Sequence, residues 1–207
     1  MSFKSYNGIL RKFGRQAVLP VSKIKAVLEK EIFNSKNTIG ICVDFGAGTL
    51  FWAEWLKHYV SKMYAVDIIY DREEEKDGII CVNNIGYIRG GGSCLGKKIF
   101  FATDVFHHLD KQFEHTLLQK VVREFDCIII KDIDCRKKFG NLMNRLHDRI
   151  INGETIRNIN PDSLMNDLTK TGYQCQIFMM RKLWYPHFMI IARKKEKNES
   201  TKTPVKH

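Results

Sequence analysis

The apolar positions change period along the chain, and each change predicts an element. Pro20 can open a helix that Ser22 can cap, with Ile24, Val27, Leu28 and Ile32 recurring at the spacing of one helical face. At Ile39 the period shortens. Ile39-Gly40-Ile41-Cys42-Val43-Asp44 reads as a strand, Gly46 and Gly48 break it, and Leu50 to Tyr59 is helical again. Further strand-like runs are Met63 to Val66, Ile79 to Val82, Ile99 to Ala102, Cys127 to Ile130, Cys175 to Met180 and Phe188 to Ala192. Helical stretches lie between them near Gln112 to Glu124, Asn141 to Ile151 and Pro161 to Thr171.

This alternation predicts an α/β protein. Strands buried on both faces of a parallel sheet read as continuous apolar runs, as IIC and CIII do here. The last two runs are close enough for an antiparallel hairpin closing one edge. No internal repeat is visible, and Arg89-Gly90-Gly91-Gly92-Ser93 reads as a surface loop.

At 207 residues, 44% hydrophobic and 28% charged, the chain suits one compact core and excludes collagen, coiled coil and wholesale disorder. The net charge of +11 suggests a polyanionic partner until it is divided: residues 1–30 carry +6, 193–207 carry +4, and 31–192 only +1. The basicity therefore belongs to the two ends, and a nucleic-acid partner is not favoured. The expected division is an arm and helix at 1–38, the main α/β domain at 39–192 and a basic, disordered tail at 193–207. No apolar stretch reaches membrane-span length and the opening lacks a signal-peptide core, so a cytoplasmic location is expected. The six cysteines form no CxxC pair and read as buried free thiols.

The chemistry concentrates in Val43-Asp44-Phe45-Gly46-Ala47-Gly48-Thr49, two glycines at a strand-to-helix turn. Absent side chains let a ligand approach the backbone there. Asp67 ends the next apolar run, where a carboxylate can hold the hydroxyls of a ribose, so the pair indicates an adenosine-bearing cofactor. Phe51 stands where a nicotinamide fingerprint wants its third glycine, and Asp44 suits the ammonium of an amino acid.

The series VDFGAGT, VDI, TDVFHHLD (Thr103 to Asp110) and FDCIIIKD (Phe125 to Asp132) resembles class I S-adenosylmethionine-dependent methyltransferases over about residues 40–192. Leu50 occupies a position where many members have glycine. The resemblance implies a Rossmann-like, mostly parallel seven-stranded sheet with an antiparallel edge strand and helices on both faces. It implies S-adenosyl-L-methionine as cofactor and S-adenosyl-L-homocysteine as product. By the same resemblance, Asp44, Gly46, Gly48 and Thr49 line the methionine portion, Asp67 takes the ribose, and Ile68 lies against the adenine. Asn83 or Asn84 contacts the base edge, and Asp104 and Val105 border the sulfonium.

His107 and His108 follow Asp104 in a loop region where a histidine can take a proton from an attacking hydroxyl. No carboxylate or thiolate spacing accompanies them, so no metal is expected. Lys131-Asp132 ends the fifth of the long strands and sets opposite charges at the same mouth. In the predicted helix beyond, Asn141, Asn144, Arg145 and Asp148 share a stripe with His147 beside it. This region resembles small-molecule methyltransferases whose fifth strand ends IKDH, with Ile133 in place of the histidine. The candidate catalytic residues are therefore His107, His108, Lys131 and His147. The candidate acceptor-binding residues are Asp132, Asn141, Asn144 and Arg145. The expected acceptor is small and polar or anionic, such as a sugar, a phosphorylated compound or a cell-surface glycan precursor. A second reading is an RNA ribose 2′-O-methyltransferase, which resembles the chain in pairing Asp104 with Lys131. That group adds a lysine before the glycine turn, for which Lys25 or Lys30 is available, and a glutamate where Arg181-Lys182 stands. A third is a non-catalytic cofactor-binding protein of the same fold.

Overall fold

The computed structural model describes residues 20–34, 38–88, 96–134, 136, 157, 159–182 and 185–195. Helix α1 (Val21–Leu28) continues into a wider turn at Glu29–Phe33. Strand β1 (Ile39–Phe45) leads through the glycine turn to α2 (Phe51–Leu56), then to β2 (Lys62–Val66), β3 (Glu74–Lys76), β4 (Ile79–Val82) and β5 (Lys97–Thr103). Helix α3 (Lys111–Glu124), β6 (Cys127–Ile133), α4 (Pro161–Lys170), β7 (Tyr173–Lys182) and β8 (Tyr185–Lys194) complete it. Ser22 does not cap α1: Pro20 occupies the cap position, and no side chain bonds the free amides there. Asp110 does cap α3, accepting the Phe113 N–H at 2.7 Å.

The eight strands form one sheet in the order β3-β4-β2-β1-β5-β6-β8-β7. From β4 to β6 all neighbours run parallel. Strand β8 runs against both β6 and β7, which puts a reversed strand second from that edge with β7 outermost, and β3 lies antiparallel at the other edge. Seven strands match the expected sheet, and β3 adds an eighth. It is a polar three-residue strand hairpinned to β4 through Asp77 and Gly78, both at positive φ (48° and 77°), the conformation a tight hairpin turn requires.

Apolar side chains leave the sheet on both faces. On one, Val43, Phe100, Ile128, Ile130 and Ile190 pack under Leu117 and Val121 of α3 and Leu164 and Leu168 of α4. On the other, Cys42, Phe101, Ile129 and Ile191 pack under Ile24 and Leu28 of α1 and Trp52, Ala53 and Leu56 of α2. Cys42, Cys81 and Cys127 are buried free thiols, Cys175 is a half-buried one, and Cys94 and Cys135 lie outside the described residues. Among the described residues no helix is long and apolar enough to cross a membrane. Chain order reverses beside β1, and the carboxyl ends of β1 and β5 are therefore where an open α/β sheet places its ligand crevice.

Candidate functional site

Asp44 closes β1 at that crevice. It is 1% exposed, and its Oδ2 has no hydrogen-bond partner. Burial pushes the carboxyl up to about 7, the Ala53 N–H opposes this, and the charge of Asp67 adds to it. Beside it, Val66 O accepts the N–H groups of Gly46 and Ala47 at 2.8 and 3.2 Å. Gly46 has φ +74°, and a Cβ there would lie 2.1 Å from Val105 Cγ2, so glycine is required for conformation and for space. Leu50, at the position where a glycine is common, adopts φ 65° in spite of its side chain. Thr49 is exposed beside it.

Asp67, just past β2, accepts the Gly48 N–H on Oδ2 (2.8 Å) and the Ile69 N–H on Oδ1 (3.1 Å). Its neighbour Ile68 is 91% exposed. Asn83 is exposed beyond β4, whereas Asn84 caps the short turn that follows by accepting the Gly86 N–H at 2.7 Å. Of the two asparagines, Asn83 keeps the candidate role.

Asp104 follows β5 at φ 54°, and both its oxygens accept from Lys131 Nζ, at 2.6 and 2.8 Å. Burial works to raise the Asp104 carboxyl, but Lys131, with His187 and His107, outweighs it and the net direction is down. Lys131 is fully buried, so its charge is taken up by this pair. Lys131 and Asp132 do not share a mouth. Successive side chains of a strand point to opposite faces: Lys131 follows Ile129 toward the α1–α2 layer, and Asp132 follows Ile130 toward the α3–α4 layer. There Asp132 Oδ1 lies 2.6 Å from His107 Nδ1 and also accepts the Ile133 N–H at 2.7 Å, while Oδ2 accepts the His107 N–H at 3.2 Å. His107 is 5% exposed and its ring centroid lies 4.1 Å from that of exposed His108.

The structure thus brings together Asp44, Gly46, Gly48, Asp67, Asp104, Val105 and Lys131 around the crevice, with His107, His108 and Asp132 behind its β5–β6 side. His147, Asn141, Asn144 and Arg145 lie outside the described residues. Three further groups emerge only from the fold. Arg136 grips Asp134 through two nitrogens at 2.9 and 2.8 Å, Arg157 pairs with Glu114 and donates its N–H to His107 O, and His187 stands on β8 opposite Ile133. The alternation Asp132-Ile133-Asp134 was a signal for the first of these. The other two join residues far apart in sequence and left no local trace. Among the described residues no group of three or more His, Cys, Asp or Glu side chains is placed to hold a metal ion.

No family model and no curated protein matches the sequence. Solved structures match the fold. Magnesium protoporphyrin IX methyltransferase from Synechocystis PCC 6803 with bound SAH is similar at TM-score 0.62 and 14% identity, over 94% of this chain and 89% of that one. A SAM-dependent methyltransferase from Archaeoglobus fulgidus is similar at 0.60 and 16%, over 84% and 94%. A putative type 11 methyltransferase from Sulfolobus solfataricus is similar at 0.58 and 20%, over 87% and 95%. At these identities the likeness is one of fold, and the chain has the Rossmann-like fold of class I methyltransferases.

Proposed function

We propose that the chain is an S-adenosylmethionine-dependent methyltransferase acting on an oxygen of a small polar acceptor. The observation that carries this is Asp44: a carboxylate buried at a strand end, with an oxygen left without a partner. Such an arrangement costs stability unless a cation completes it, and an ammonium group does so. The neighbouring residues fit the rest of the molecule. Gly46, Gly48 and Thr49 would lie along the methionine portion. Asp67 has spent about two of its roughly four acceptor positions on backbone N–H groups, which leaves one on each oxygen for the two ribose hydroxyls. Ile68 would cover one face of the adenine, Asn83 its edge, and Asp104 and Val105 would border the sulfur.

When bound, the cofactor supplies a methyl group on a positively charged sulfur, and alignment with the acceptor accounts for most of the rate. The chain's residues then provide position and a proton acceptor. Lys131 holds Asp104, and through it Val105, against the glycine turn. Asp132 fixes the ring of His107, which backs His108. One of these imidazoles takes the acceptor's hydroxyl proton. Attraction of an anionic acceptor falls to Arg145 and the basic N-terminal arm rather than to Lys131, whose charge is paired. A sugar or glycan-precursor acceptor stays within this reading.

One observation favours the RNA ribose 2′-O-methyltransferase as the second reading: the Asp104–Lys131 pair forms. Lys25 Nζ sits 4.9 Å from the Trp55 ring centroid, and Lys23, not Lys25 or Lys30, reaches the end of β7, where its Nζ donates to Arg181 O at 3.4 Å. Arg181 occupies the region where that group has an acid. Labelled S-adenosylmethionine incubated with sugar phosphates, nucleotide sugars and RNA tests the readings. Label in a small acceptor supports the first. Label in RNA, with binding that weakens steeply in salt, replaces it with the second. S-adenosylhomocysteine binding with no label in any acceptor leaves a non-catalytic binding protein.

A further inference from the structure

Gly48 is held at both ends by one short segment. Asp67 accepts its N–H at 2.8 Å, and three residues later the Tyr70 hydroxyl donates to its carbonyl oxygen at 3.1 Å. The segment is itself a closed turn, since the Tyr70 N–H donates to Asp67 O at 3.2 Å. The Tyr70 ring is 7% exposed and lies beside Cys81 of β4. Burial first, and then Cys81, Asp67 and Asp44, drive the phenol's pKa upward, so the hydroxyl stays a donor at working pH.

The turn needs such a hold. Gly46, Gly48 and Leu50 all have positive φ, and a glycine can reverse the peptide that follows it at little cost. The peptide after Gly48 is trans, so its C=O and the Thr49 N–H point in opposite directions. With the carbonyl fixed on Tyr70, the Thr49 N–H faces away from Tyr70. Reversal would instead present a carbonyl oxygen, which repels a carboxylate.

We propose that Tyr70 is a positioning residue for the cofactor's amino-acid portion, acting by selecting the orientation of the Gly48–Thr49 peptide. This rests on the cofactor reading above. The test compares Tyr70→Phe with the unaltered protein, using S-adenosylhomocysteine and adenosine as separate probes in calorimetry. Phenylalanine keeps the ring that packs against β4, and circular dichroism with thermal unfolding confirms that the variant folds. Loss of one neutral hydrogen bond predicts roughly 5-fold weaker S-adenosylhomocysteine binding, the equivalent of about 1 kcal/mol. Adenosine lacks the amino-acid portion and should bind both proteins equally. Unchanged S-adenosylhomocysteine affinity overturns the assignment. So does a parallel loss for both probes, which marks general loosening. If the unaltered protein binds neither probe, the cofactor reading falls as well. If Tyr70→Phe is too unstable to titrate, amide exchange in the unaltered protein decides: Thr49 must gain protection with S-adenosylhomocysteine and not with adenosine, and equal protection by both overturns the proposal.

Discussion

Replacing Asp44 by asparagine should stabilise the cofactor-free protein at high pH and weaken its hold on cofactor. The carboxyl moves from the ordinary 3.8 to about 7 because it is buried with one oxygen unpartnered. Between these values the folded chain keeps a proton that the unfolded chain has released. The stability tied to that proton is complete below about pH 4 and is lost as pH rises through about 7. The shift corresponds to about 4 kcal/mol at most, each pKa unit being worth about 1.4 kcal/mol. The asparagine carries no charge at any pH, but its amide N–H would lack a partner where Oδ2 now stands, at about 1–3 kcal/mol. In urea titrations at pH 8.5 the variant should therefore be more stable than the parent by about 1–3 kcal/mol, and at pH 5 it should be equal or less stable. Subtracting the two pH profiles removes Asp104 and the other groups that do not feel the Asp44 charge. In calorimetry at pH 8.5 the variant should bind S-adenosylhomocysteine about 10- to 100-fold more weakly, the range for a charge-assisted hydrogen bond. The parent's affinity should fall as pH drops below about 7, and the variant's should not. A variant that keeps the parent's pH slope in stability, or its affinity for cofactor, would refute the reasoning.

Gly46→Ala places a methyl 2.1 Å from Val105 Cγ2 at φ +74°, so the turn must open; unfolding should register a loss of about 2–4 kcal/mol, and S-adenosylhomocysteine binding should disappear from calorimetry. Lys131→Met leaves the Asp104 carboxylate without its cation and should destabilise by about 2–4 kcal/mol, whereas Lys131→Met with Asp104→Asn should recover more than half of that loss; additive effects in denaturant would contradict the pairing. Asp132 accepts backbone N–H groups on both oxygens, so His107 donates from Nδ1. In Asp132→Asn the amide oxygen should keep the Ile133 N–H and the His107 Nδ1–H and turn its own N–H toward the His107 backbone N–H, so urea unfolding should register a loss of about 1–3 kcal/mol while long-range nitrogen–proton NMR still reports His107 protonated on Nδ1.

Much of this site is visible in the chain because its parts are local. Asp44 and Asp67 each end an apolar run, and the glycines stand where the turn needs positive φ or room for Val105. The sheet is legible for the same reason: runs such as residues 127–130 of β6 are apolar on both faces because helices cover both. What stayed hidden depends on pairing across the fold. Strand β3 is Glu-Glu-Lys, with no apolar alternation, and exists because the Asp77-Gly78 turn lays it on β4. Tyr70 reads as an ordinary aromatic until its hydroxyl is found on Gly48. The separation of Lys131 from Asp132 was within reach, since neighbours in a strand face opposite ways.

The claim that Asp44, the glycine turn and Asp67 form a cofactor cleft is tested most directly by a crystal structure of the protein grown with S-adenosylhomocysteine. The account predicts the ammonium of the ligand on Asp44 and both ribose hydroxyls on Asp67. Density for the ligand elsewhere, or an empty crevice at saturating concentration, would contradict it.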